Sequence, residues 1–222
     1  MRETDLAIDE YYHIFNRGVD KRDVFLCNDD YLRFLRSSVE FNQIKPIGSL
    51  YQLSFKKRGE GLGSKSPIGL LEPKQSEKLV EIICYCFNPN HYHFILKQIS
   101  EDGVEKFMHK LGMGYTNYFN KKCERSGSLF QGPFKATHID SNKLLLYLSV
   151  YVNANHQIHG YPERDWPYSS LLDYVGKRDD KLCNKEVILG QFNNDPKQYE
   201  KYLNDNAEYF KEKKEMEKYI LE

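Results

Sequence analysis

Two histidines, His91 and His93, are separated by a single residue within a run of apolar residues. Side chains alternate between the two faces of a β-strand, so both imidazoles should lie on the same face. The apolar runs Cys84–Phe87 and Phe94–Leu96 predict a buried hairpin, in which imidazoles without partners would cost free energy. A divalent ion would provide that partner, and imidazole with oxygen ligands suits Mg²⁺, Mn²⁺ or Zn²⁺. The alternative interpretation is a pair of ordinary packed histidines.

A tyrosine and an asparagine in a later helical run have the spacing to join such a site. Tyr151 and Asn155 are four residues apart, which places them one above the other on one helix face. A phenol can act as a nucleophile, and an amide oxygen can bind a metal ion. Tyr147 is a second candidate nucleophile because it is also four residues from Tyr151. In a chain with 17 tyrosines, a core aromatic is the competing interpretation of Tyr151.

The elements that would position these residues alternate between strands and helices. Tight turns between neighbouring strands predict an α+β fold with a central, mainly antiparallel β-sheet flanked by α-helices. A polar loop is expected at Arg125–Asp140, and an exposed helical tail at Asp195–Glu222. The remaining predicted elements are strands at Tyr11–Arg17, Val80–Phe87 and His91–Lys97, a candidate strand at Ile47–Lys56, a Gly/Ser/Lys loop at Arg58–Pro67, and helices after Asp29, over Val104–Cys123 and over Leu144–Asn155.

Length and composition limit the class of protein. A chain of 222 residues accommodates one domain with a modest appendage. The 32 Lys and Arg residues balance 32 Asp and Glu residues, so any attraction to a polyanion must be local. Five cysteines without C-x-x-C spacing predict reduced thiols. The sequence contains no apolar run long enough for a membrane span and no signal-like start, so we expect a cytoplasmic protein without membrane contact.

Positive charge is concentrated in two stretches. Residues 114–143 contain five Lys or Arg residues against two acidic ones, with aromatic residues between them. Arg17, Lys21 and Arg22 form a second small cluster. Cations interleaved with aromatics are typical of surfaces that bind single-stranded nucleic acid, although such loops are also common on ordinary surfaces. Tyr115 and Tyr118 are interpreted as packing or base-stacking residues.

The run NPNHYHFIL, Asn88–Leu96, resembles the histidine signature of the HUH nucleases, in the form used by single-tyrosine transposases of the insertion-sequence and REP-associated kind. The resemblance spans roughly Tyr11–Leu172, and DWPYSS is most similar to the REP-associated branch. It predicts a nuclease domain at residues 1–175 with an insertion near 48–76, and a helical extension at 176–222. The further matching motifs are YYHIFNRGVDKRDVF (Tyr11–Phe25), DDYLRFL (Asp29–Leu35), YTNYFNKK (Tyr115–Lys122), GSLFQGPFKA (Gly127–Ala136), LLLYLSVYVNANHQIHG (Leu144–Gly160) and DWPYSS (Asp165–Ser170).

The resemblance implies a ferredoxin- or RRM-like palm and a metal-dependent endonuclease and strand transferase acting on single-stranded DNA near hairpins. His91, His93 and Asn155 would bind Mg²⁺ or Mn²⁺, and Tyr151 would form a 5′-phosphotyrosine. The protein would act as a monomer or homodimer, with hairpin-forming single-stranded DNA as its partner. The residues expected to contact nucleic acid are Arg17, Lys21, Arg22, Lys121, Lys122, Arg125, Phe130, Gln131 and Lys135.

The sequence departs from the family pattern at two positions. His156 follows Asn155 where the family has proline, and Pro133 replaces the arginine of FQGRFK, which removes one expected phosphate contact. His156 and His138 are candidates for proton relay. Two other functional hypotheses are a catalytically silent DNA- or RNA-binding regulator and a metal-dependent hydrolase in a barrel, although a barrel needs about 250 residues with repeated strand–helix units.

Overall fold

The computed structural model describes residues 5–45, 48, 50, 77–161 and 165–212. The predicted Arg58–Pro67 loop lies outside the described residues, as does the predicted Ile47–Lys56 strand apart from Gly48 and Leu50. The last ten residues of the predicted tail also lie outside them.

Four antiparallel strands form the central sheet in the order β2-β3-β1-β4. The predicted α+β class is confirmed, and so are the three predicted strands. The expectation of a loop over Arg125–Asp140 was wrong for its last part, which forms β4. That strand is short and mostly exposed, so it lacks the apolar alternation that identifies a strand in sequence; its backbone pairs with the open edge of β1. The strands are β1 Tyr11–Arg17, β2 Val80–Asn88, β3 His91–Gln98 and β4 Lys135–Ile139.

Two long helices cover one face of the sheet and enclose an aromatic core. They are α1, Asn28–Glu40, and α2, Gly103–Lys122. Gly114 lets α2 approach the end of α1 closely, because a Cβ there would lie 2.7 Å from the Phe41 ring. The core contains side chains from both helices and from alternate strand positions, among them Tyr12, Ile14, Phe34, Phe87, Tyr92, Phe94, Phe107, Leu111 and Tyr115.

The other face of the sheet is covered by α3, Asn142–Asn153, and α7, Pro196–Glu212. The C-terminal segment is helical as predicted, but the expectation that it is exposed was wrong. Tyr199, Leu203, Ala207 and Phe210 repeat at helical spacing and are buried in this second core. The charged residues of the segment dominate its composition and obscure this stripe. Three short α-helices lie within residues 77–212: α4 Asn155–Ile158, α5 Leu171–Tyr174 and α6 Glu186–Leu189.

The α3 helix ends two residues earlier than predicted, at Asn153. The buried Asn153 amide donates to the Tyr199 hydroxyl at 2.9 Å and accepts from the Ser170 hydroxyl at 2.5 Å. The Ser169 hydroxyl bonds the Asn153 carbonyl at 2.9 Å, so this carbonyl has a partner outside the helix. Ala154 then takes φ −92° and ψ 8°, and Asn155 begins α4. Tyr151 and Asn155 therefore do not share one helix, which corrects the single-helix prediction.

The DWPYSS segment protects the outer edge of β2. Two backbone hydrogen bonds cross this edge: Phe87 N–H donates to the Tyr168 carbonyl, and Ser170 N–H donates to the Tyr85 carbonyl. The Trp166 indole donates to the Phe87 carbonyl at 2.8 Å. These bonds satisfy backbone groups that would otherwise be open to pairing with another chain. In the part of the chain that is described, no helix has the length and apolar character needed to cross a membrane.

A buried ion pair joins the start of α1 to the end of α2. Asp30, which is fully buried, lies 2.7 Å from Lys122 Nζ and also accepts bonds from the Leu26 amide and the Tyr118 hydroxyl. Burial alone would raise the pKa of Asp30, but the bonds from Lys122, Leu26 and Tyr118 outweigh it and hold the pKa below its usual value. The carboxylate is therefore charged at neutral pH and depends on Lys122.

Replacing Lys122 with alanine should lower the free energy of unfolding by about 2 kcal/mol, because it leaves a buried carboxylate without its cation. This loss of unfolding free energy is smaller than that expected for a fully buried ion pair, because Lys122 is one-third exposed and Asp30 keeps two other hydrogen-bond donors. Urea denaturation of Lys122→Ala beside Lys121→Ala measures the effect. The exposed Lys121 should change stability by no more than about 0.5 kcal/mol; equal losses in the two variants would contradict a structural role for the pair.

Candidate active site

The candidate catalytic residues lie on the face of the sheet that α3 and α7 cover. In the antiparallel register, Phe15 lies opposite His93 and Arg17 opposite His91. Alternation along β1 adds His13 to the same face. The two histidines of β3 have ring centroids 5.1 Å apart and are both buried. The strands thus gather imidazole, aromatic and guanidinium groups at the end of the sheet where β1 stops and β3 begins.

His91 contacts the predicted amide ligand directly. Its Nε2 atom lies 3.1 Å from Asn155 Oδ1. The Asn88 amide lies between them, with its Nδ2 atom 3.0 Å from His91 Nε2 and 2.6 Å from Asn155 Oδ1. The other imidazole nitrogen, Nδ1, is 2.5 Å from Asn90 Oδ1. The sequence NPN at residues 88–90 indicates only a tight turn, yet the side chains of Asn88 and Asn90 contact the two nitrogens of the His91 ring.

His93 is held by a histidine that the sequence analysis missed. His93 Nδ1 lies 2.9 Å from His13 Nε2, and the two rings stack with centroids 5.2 Å apart. Burial, reinforced by His91, His13 and His159, holds the pKa of His93 well below its usual value. The ring is therefore neutral at pH 7 and keeps a lone pair. The sequence signal for His13 is its alternation with Phe15 and Arg17 along the predicted strand, but only the pairing of β1 with β3 places it beside His93.

Tyr151 lies edge-on to two of these imidazoles. Its ring centroid is 5.5 Å from that of His93 and 5.9 Å from that of His13. The side chain is only 1% exposed, and Phe210 of α7 packs on it at 5.3 Å. The rival Tyr147 is half-buried and packs on the same phenylalanine at 4.2 Å. Of Tyr147 and Tyr151, Tyr151 is therefore the better candidate nucleophile, because its ring lies beside His93 and His13.

The donor set, two imidazoles and an amide oxygen, fits a divalent ion. His91 Nε2 and Asn155 Oδ1 lie 3.1 Å apart, close enough for both atoms to bind one divalent ion. His93 is neutral, as a metal-binding imidazole must be. No group of three or more His, Cys, Asp or Glu residues among the described residues could hold a metal ion, so a site at this histidine pair would have to include another donor such as the Asn155 amide oxygen.

Several predicted nucleic-acid residues flank this centre. Arg17 shares the face with His91, and Lys135 lies opposite Phe15 with its Nζ atom 5.6 Å from that ring's centroid. Lys21 and Arg22 follow β1 at the same end of the sheet, where Asn90 donates to the Lys21 carbonyl. The exposed Gln131 pairs its backbone N–H with the Arg17 carbonyl.

Other predicted contact residues have structural partners. Lys122 binds Asp30, and Arg125 donates to Asn120 Oδ1 at 2.7 Å and to the Ser128 carbonyl at 2.9 Å. Phe130 is buried against Tyr92 in the first core. Lys121 is exposed on α2, away from the histidines. Tyr115 is fully buried and donates to the Val24 carbonyl, so its packing interpretation is confirmed.

The two histidines considered for proton relay do not sit beside the Tyr151 ring. His138 is paired with Glu10 at 2.8 Å and packs on Tyr12, on the opposite face of the sheet. That hypothesis was wrong for His138, because the unrecognised strand β4 turns its side chain away from the site. His156 is buried and stacks on Trp166, with ring centroids 6.0 Å apart. His159, which the sequence analysis did not consider, lies 4.8 Å from the His91 ring.

Comparison with known proteins agrees with this geometry. Residues 64–155 match the family model described as "Transposase IS200 like". The matched range contains all four residues proposed for the catalytic centre, His91, His93, Tyr151 and Asn155. The resemblance to IS200-like transposases is confirmed over this range. The IS200-like region begins within the segment predicted as an insertion and ends at Asn155, so β1 with His13 lies outside it.

The fold is also similar to that of a solved protein, the REP-associated tyrosine transposase bound to a REP hairpin. The similarity has a TM-score of 0.51 at 15% sequence identity, and covers 83% of this chain and 96% of the other. At this identity the comparison establishes the fold, which therefore extends beyond the IS200-like region. The comparison with curated protein sequences finds no significant match.

The depressed pKa of His93 predicts a pH-dependent loss of stability. Below the unfolded value of about 6.5 the unfolded chain binds a proton at this position while the folded chain does not, so stability present above pH 6.5 is lost as the pH falls. Between pH 6.5 and 5.0 this group should cost roughly 1 to 2 kcal/mol. Urea denaturation with a chelator, on wild type and His93→Gln, isolates the contribution. Identical pH profiles for the two proteins would contradict it.

Proposed function

We propose that the protein is a metal-dependent single-stranded DNA endonuclease and strand transferase that cleaves near DNA hairpins through a 5′-phosphotyrosine at Tyr151. The observation that carries the proposal is the position of the Tyr151 ring, 5.5 Å from His93, on the face where His91 meets Asn155. A phenol next to imidazole and amide donors is the arrangement needed for metal-assisted attack on a phosphodiester. The IS200-like match over residues 64–155 supports the same chemistry.

His91, His93 and Asn155 are the residues that would hold the divalent ion. When bound, such an ion polarises the scissile phosphate and favours a phenolate over a phenol. Tyr151 Oη then attacks phosphorus in line, the bond from phosphorus to the 3′ oxygen breaks, and that oxygen leaves as a 3′-hydroxyl after taking up a proton. The phenol, with an ordinary pKa of about 10, loses its proton during the attack.

Rejoining reverses this step with a different strand end. A 3′-hydroxyl attacks the phosphotyrosine, loses its proton, and restores the tyrosine phenol as the phosphodiester forms. Cleavage and rejoining each exchange one phosphate ester bond for another, so no nucleoside triphosphate is consumed. The sequence correspondingly contains no G-x-x-x-x-G-K phosphate loop.

The proposed substrate is a single strand that folds into a hairpin. The fold-related transposase was solved with a REP hairpin, which supports this class of partner. Arg17 and Lys135 flank the histidines on the same face, and Lys21 and Arg22 extend the positive charge along that end of the sheet. Phosphates on either side of the scissile one would contact these cations.

His13 acts in this scheme as a positioning residue. Metal-binding histidines characteristically use their second nitrogen in a hydrogen bond that fixes the ring. His13 Nε2 bonds His93 Nδ1, so His93 would bind the ion through Nε2. His13 would set the orientation and tautomer of His93 without contacting the DNA.

One observation favours a second candidate function. Tyr151 is 1% exposed beneath Phe210, so a phosphate cannot reach it while α7 holds this position. A DNA- or RNA-binding regulator that keeps the fold without cleaving would tolerate a permanently covered tyrosine. The two functions differ in whether the protein becomes covalently attached to DNA.

The proposal predicts a covalent protein–DNA adduct that depends on both metal and Tyr151. End-labelled single-stranded hairpin DNAs are incubated with the protein and Mn²⁺ or Mg²⁺, and the products are separated on a denaturing SDS gel. The adduct should form with wild type and Tyr147→Phe, and disappear with chelator or with Tyr151→Phe. Phenylalanine preserves the packing against His93 and removes only the nucleophilic oxygen.

Two further outcomes separate the candidates. An adduct that survives in Tyr151→Phe but not in Tyr147→Phe would assign the reaction to Tyr147. If wild type gives no adduct, Phe210→Ala tests whether burial is the reason, because it removes the ring that packs on Tyr151. Hairpin binding without any adduct in either protein would favour the recognition-only regulator.

Replacing His13 should slow adduct formation without abolishing hairpin binding. His13→Ala removes the bond to His93 Nδ1, and loss of such a partner typically costs 10- to 100-fold in metal affinity or activity. The measurement is the rate of adduct formation across a Mn²⁺ titration. The expected result is a shift of the titration to higher Mn²⁺ in His13→Ala, partly restored in His13→Gln, whose amide can bond His93. An unchanged titration would contradict the positioning role.

A further inference from the structure

Asn88, the last residue of β2, is a fully buried polar side chain beside the proposed metal ligands. The pairing of β2 with β3 places it directly opposite His91. It continues the row of Cys84 and Cys86 on the face that α3 and α7 cover, because alternate residues of a strand share a face. Burying an amide costs free energy unless its polar atoms are bonded, so this side chain needs partners inside the site.

The amide nitrogen of Asn88 bridges two of the three proposed ligands. Its Nδ2 atom lies 3.0 Å from His91 Nε2 and 2.6 Å from Asn155 Oδ1, and those two atoms are 3.1 Å apart. His91 Nδ1 is 2.5 Å from the Asn90 side-chain oxygen, so Nδ1 carries the hydrogen and Nε2 accepts from Asn88. The amide therefore donates both of its hydrogens to lone pairs that a divalent ion would use.

A bound cation and this orientation of the amide exclude each other. An NH₂ group presents only donors, and its hydrogens would face the positive charge of an ion held by His91 and Asn155. Strand pairing holds the backbone of Asn88 in place and its side chain is fully buried, so the amide has little room to move aside as a whole. Rotation about its last torsion is the local change that removes the conflict, because that torsion is broad and roughly two-fold in asparagine.

Rotation of the Asn88 amide would give both of its ends suitable partners in the presence of an ion. In this structure Oδ1 faces the Cys86 thiol at 3.8 Å, which is a weak donor for the only acceptor of the amide. After rotation Oδ1 takes the position of Nδ2, close enough to His91 Nε2 and Asn155 Oδ1 for all three atoms to bind one ion. Nδ2 then faces the Cys86 sulfur, which can accept a weak hydrogen bond. Amide oxygens are ordinary ligands of Mg²⁺ and Mn²⁺.

We propose that Asn88 is a fourth protein ligand of the same divalent ion, and that its amide turns on metal binding so that Oδ1 replaces Nδ2 beside His91 and Asn155. The proposal rests on the proposed function for the presence of an ion at this site. The amide then has two orientations with different tasks. One joins His91 to Asn155 by hydrogen bonds and holds these two ligands together, and the other binds the metal.

A purely positioning role for Asn88 makes a different prediction about the metal-bound protein. The amide would then keep its NH₂ group on His91 and Asn155, and the ion would bind without the rotation. The two roles therefore differ in what the NH₂ group faces when metal is bound. It faces the Cys86 sulfur if Asn88 is a ligand, and it still faces His91 and Asn155 if Asn88 only positions them.

The first test follows the Asn88 side-chain NH₂ protons of the wild-type protein by NMR, with chelator and with saturating, diamagnetic Mg²⁺. With chelator, these protons should show nuclear Overhauser effects to the His91 ring. With Mg²⁺, the effects to His91 should weaken and effects to the Cys86 β-protons should appear. The inference is overturned if the contacts of the NH₂ group stay the same with Mg²⁺ bound, or if the protein binds no Mg²⁺.

The second test is the dissociation constant of Mn²⁺, measured by isothermal titration calorimetry without DNA. Asn88→Leu keeps the size of the side chain and removes both polar atoms, so the dissociation constant should rise roughly ten- to a hundredfold. Asn88→Asp keeps an oxygen at this position, adds a negative charge and has no NH₂ group, so it should bind Mn²⁺ at least as tightly as wild type.

The matched control for these affinities is Asn117→Leu, which removes an exposed amide from α2 and should leave Mn²⁺ binding unchanged. Thermal melting in chelator checks that every variant is folded. An Asn88→Leu protein that binds Mn²⁺ as tightly as wild type would contradict the inference. So would an Asn88→Asp protein that binds Mn²⁺ as weakly as Asn88→Leu, because the NH₂ group would then be the important part of the side chain.

The adduct assay separates this inference from the proposed function. If wild type and Asn88→Leu form the Tyr151 adduct over the same range of Mn²⁺ concentration, and the NH₂ contacts do not change with Mg²⁺, the inference fails and the proposed function stands. If the amide turns on Mg²⁺ binding and Asn88→Leu loses affinity for Mn²⁺, but no adduct forms, the inference stands and the nuclease proposal fails.

Discussion

The antiparallel register between β1 and β3 is the constraint on which the rest of the structure depends. It sets Phe15 opposite His93 and Arg17 opposite His91, so that polar and basic groups collect on one face. The intervening residues, such as Ile14 and Phe94, go to the aromatic core on the other face. Because strands alternate with a period of two, a slip of one residue would exchange these sets and bury the imidazoles among aromatic rings. Both the fold and the candidate site therefore require this one register.

The end of α3 adds the second half of the site. Asn153 accepts hydrogen bonds from Ser169 and Ser170 and donates one to Tyr199, and the helix stops there. The break at Ala154 leaves Tyr151 beside His93 and lets the Asn155 amide reach His91. The α7 helix contributes to the site twice. Its Tyr199 accepts a hydrogen bond from Asn153 at the end of α3, and its Phe210 packs on the Tyr151 ring. Access to the tyrosine is thus coupled to the element that fixes the end of α3.

The sequence predicted the elements whose residues carry strong local patterns. The strands at Tyr11–Arg17 and His91–Lys97 and the helix at Val104–Cys123 have clear periodicity, and the structure contains all three. Strand β4 was missed because its exposed residues lack alternation and it depends on pairing with β1. The break after Asn153 and the burial of α7 were missed for a similar reason: both arise from contacts between residues far apart in the chain. His13 became identifiable only when the register placed it on His93.

The central claim is that Tyr151 is the residue that becomes joined to DNA. The most direct measurement is mass spectrometry of the adduct after nuclease and protease digestion, which identifies the peptide that carries the residual nucleotide. The account predicts a nucleotide linked through phosphate to Tyr151, formed only when Mn²⁺ or Mg²⁺ is present. A nucleotide on Tyr147 or on any other residue, or an adduct that forms equally in chelator, would contradict it.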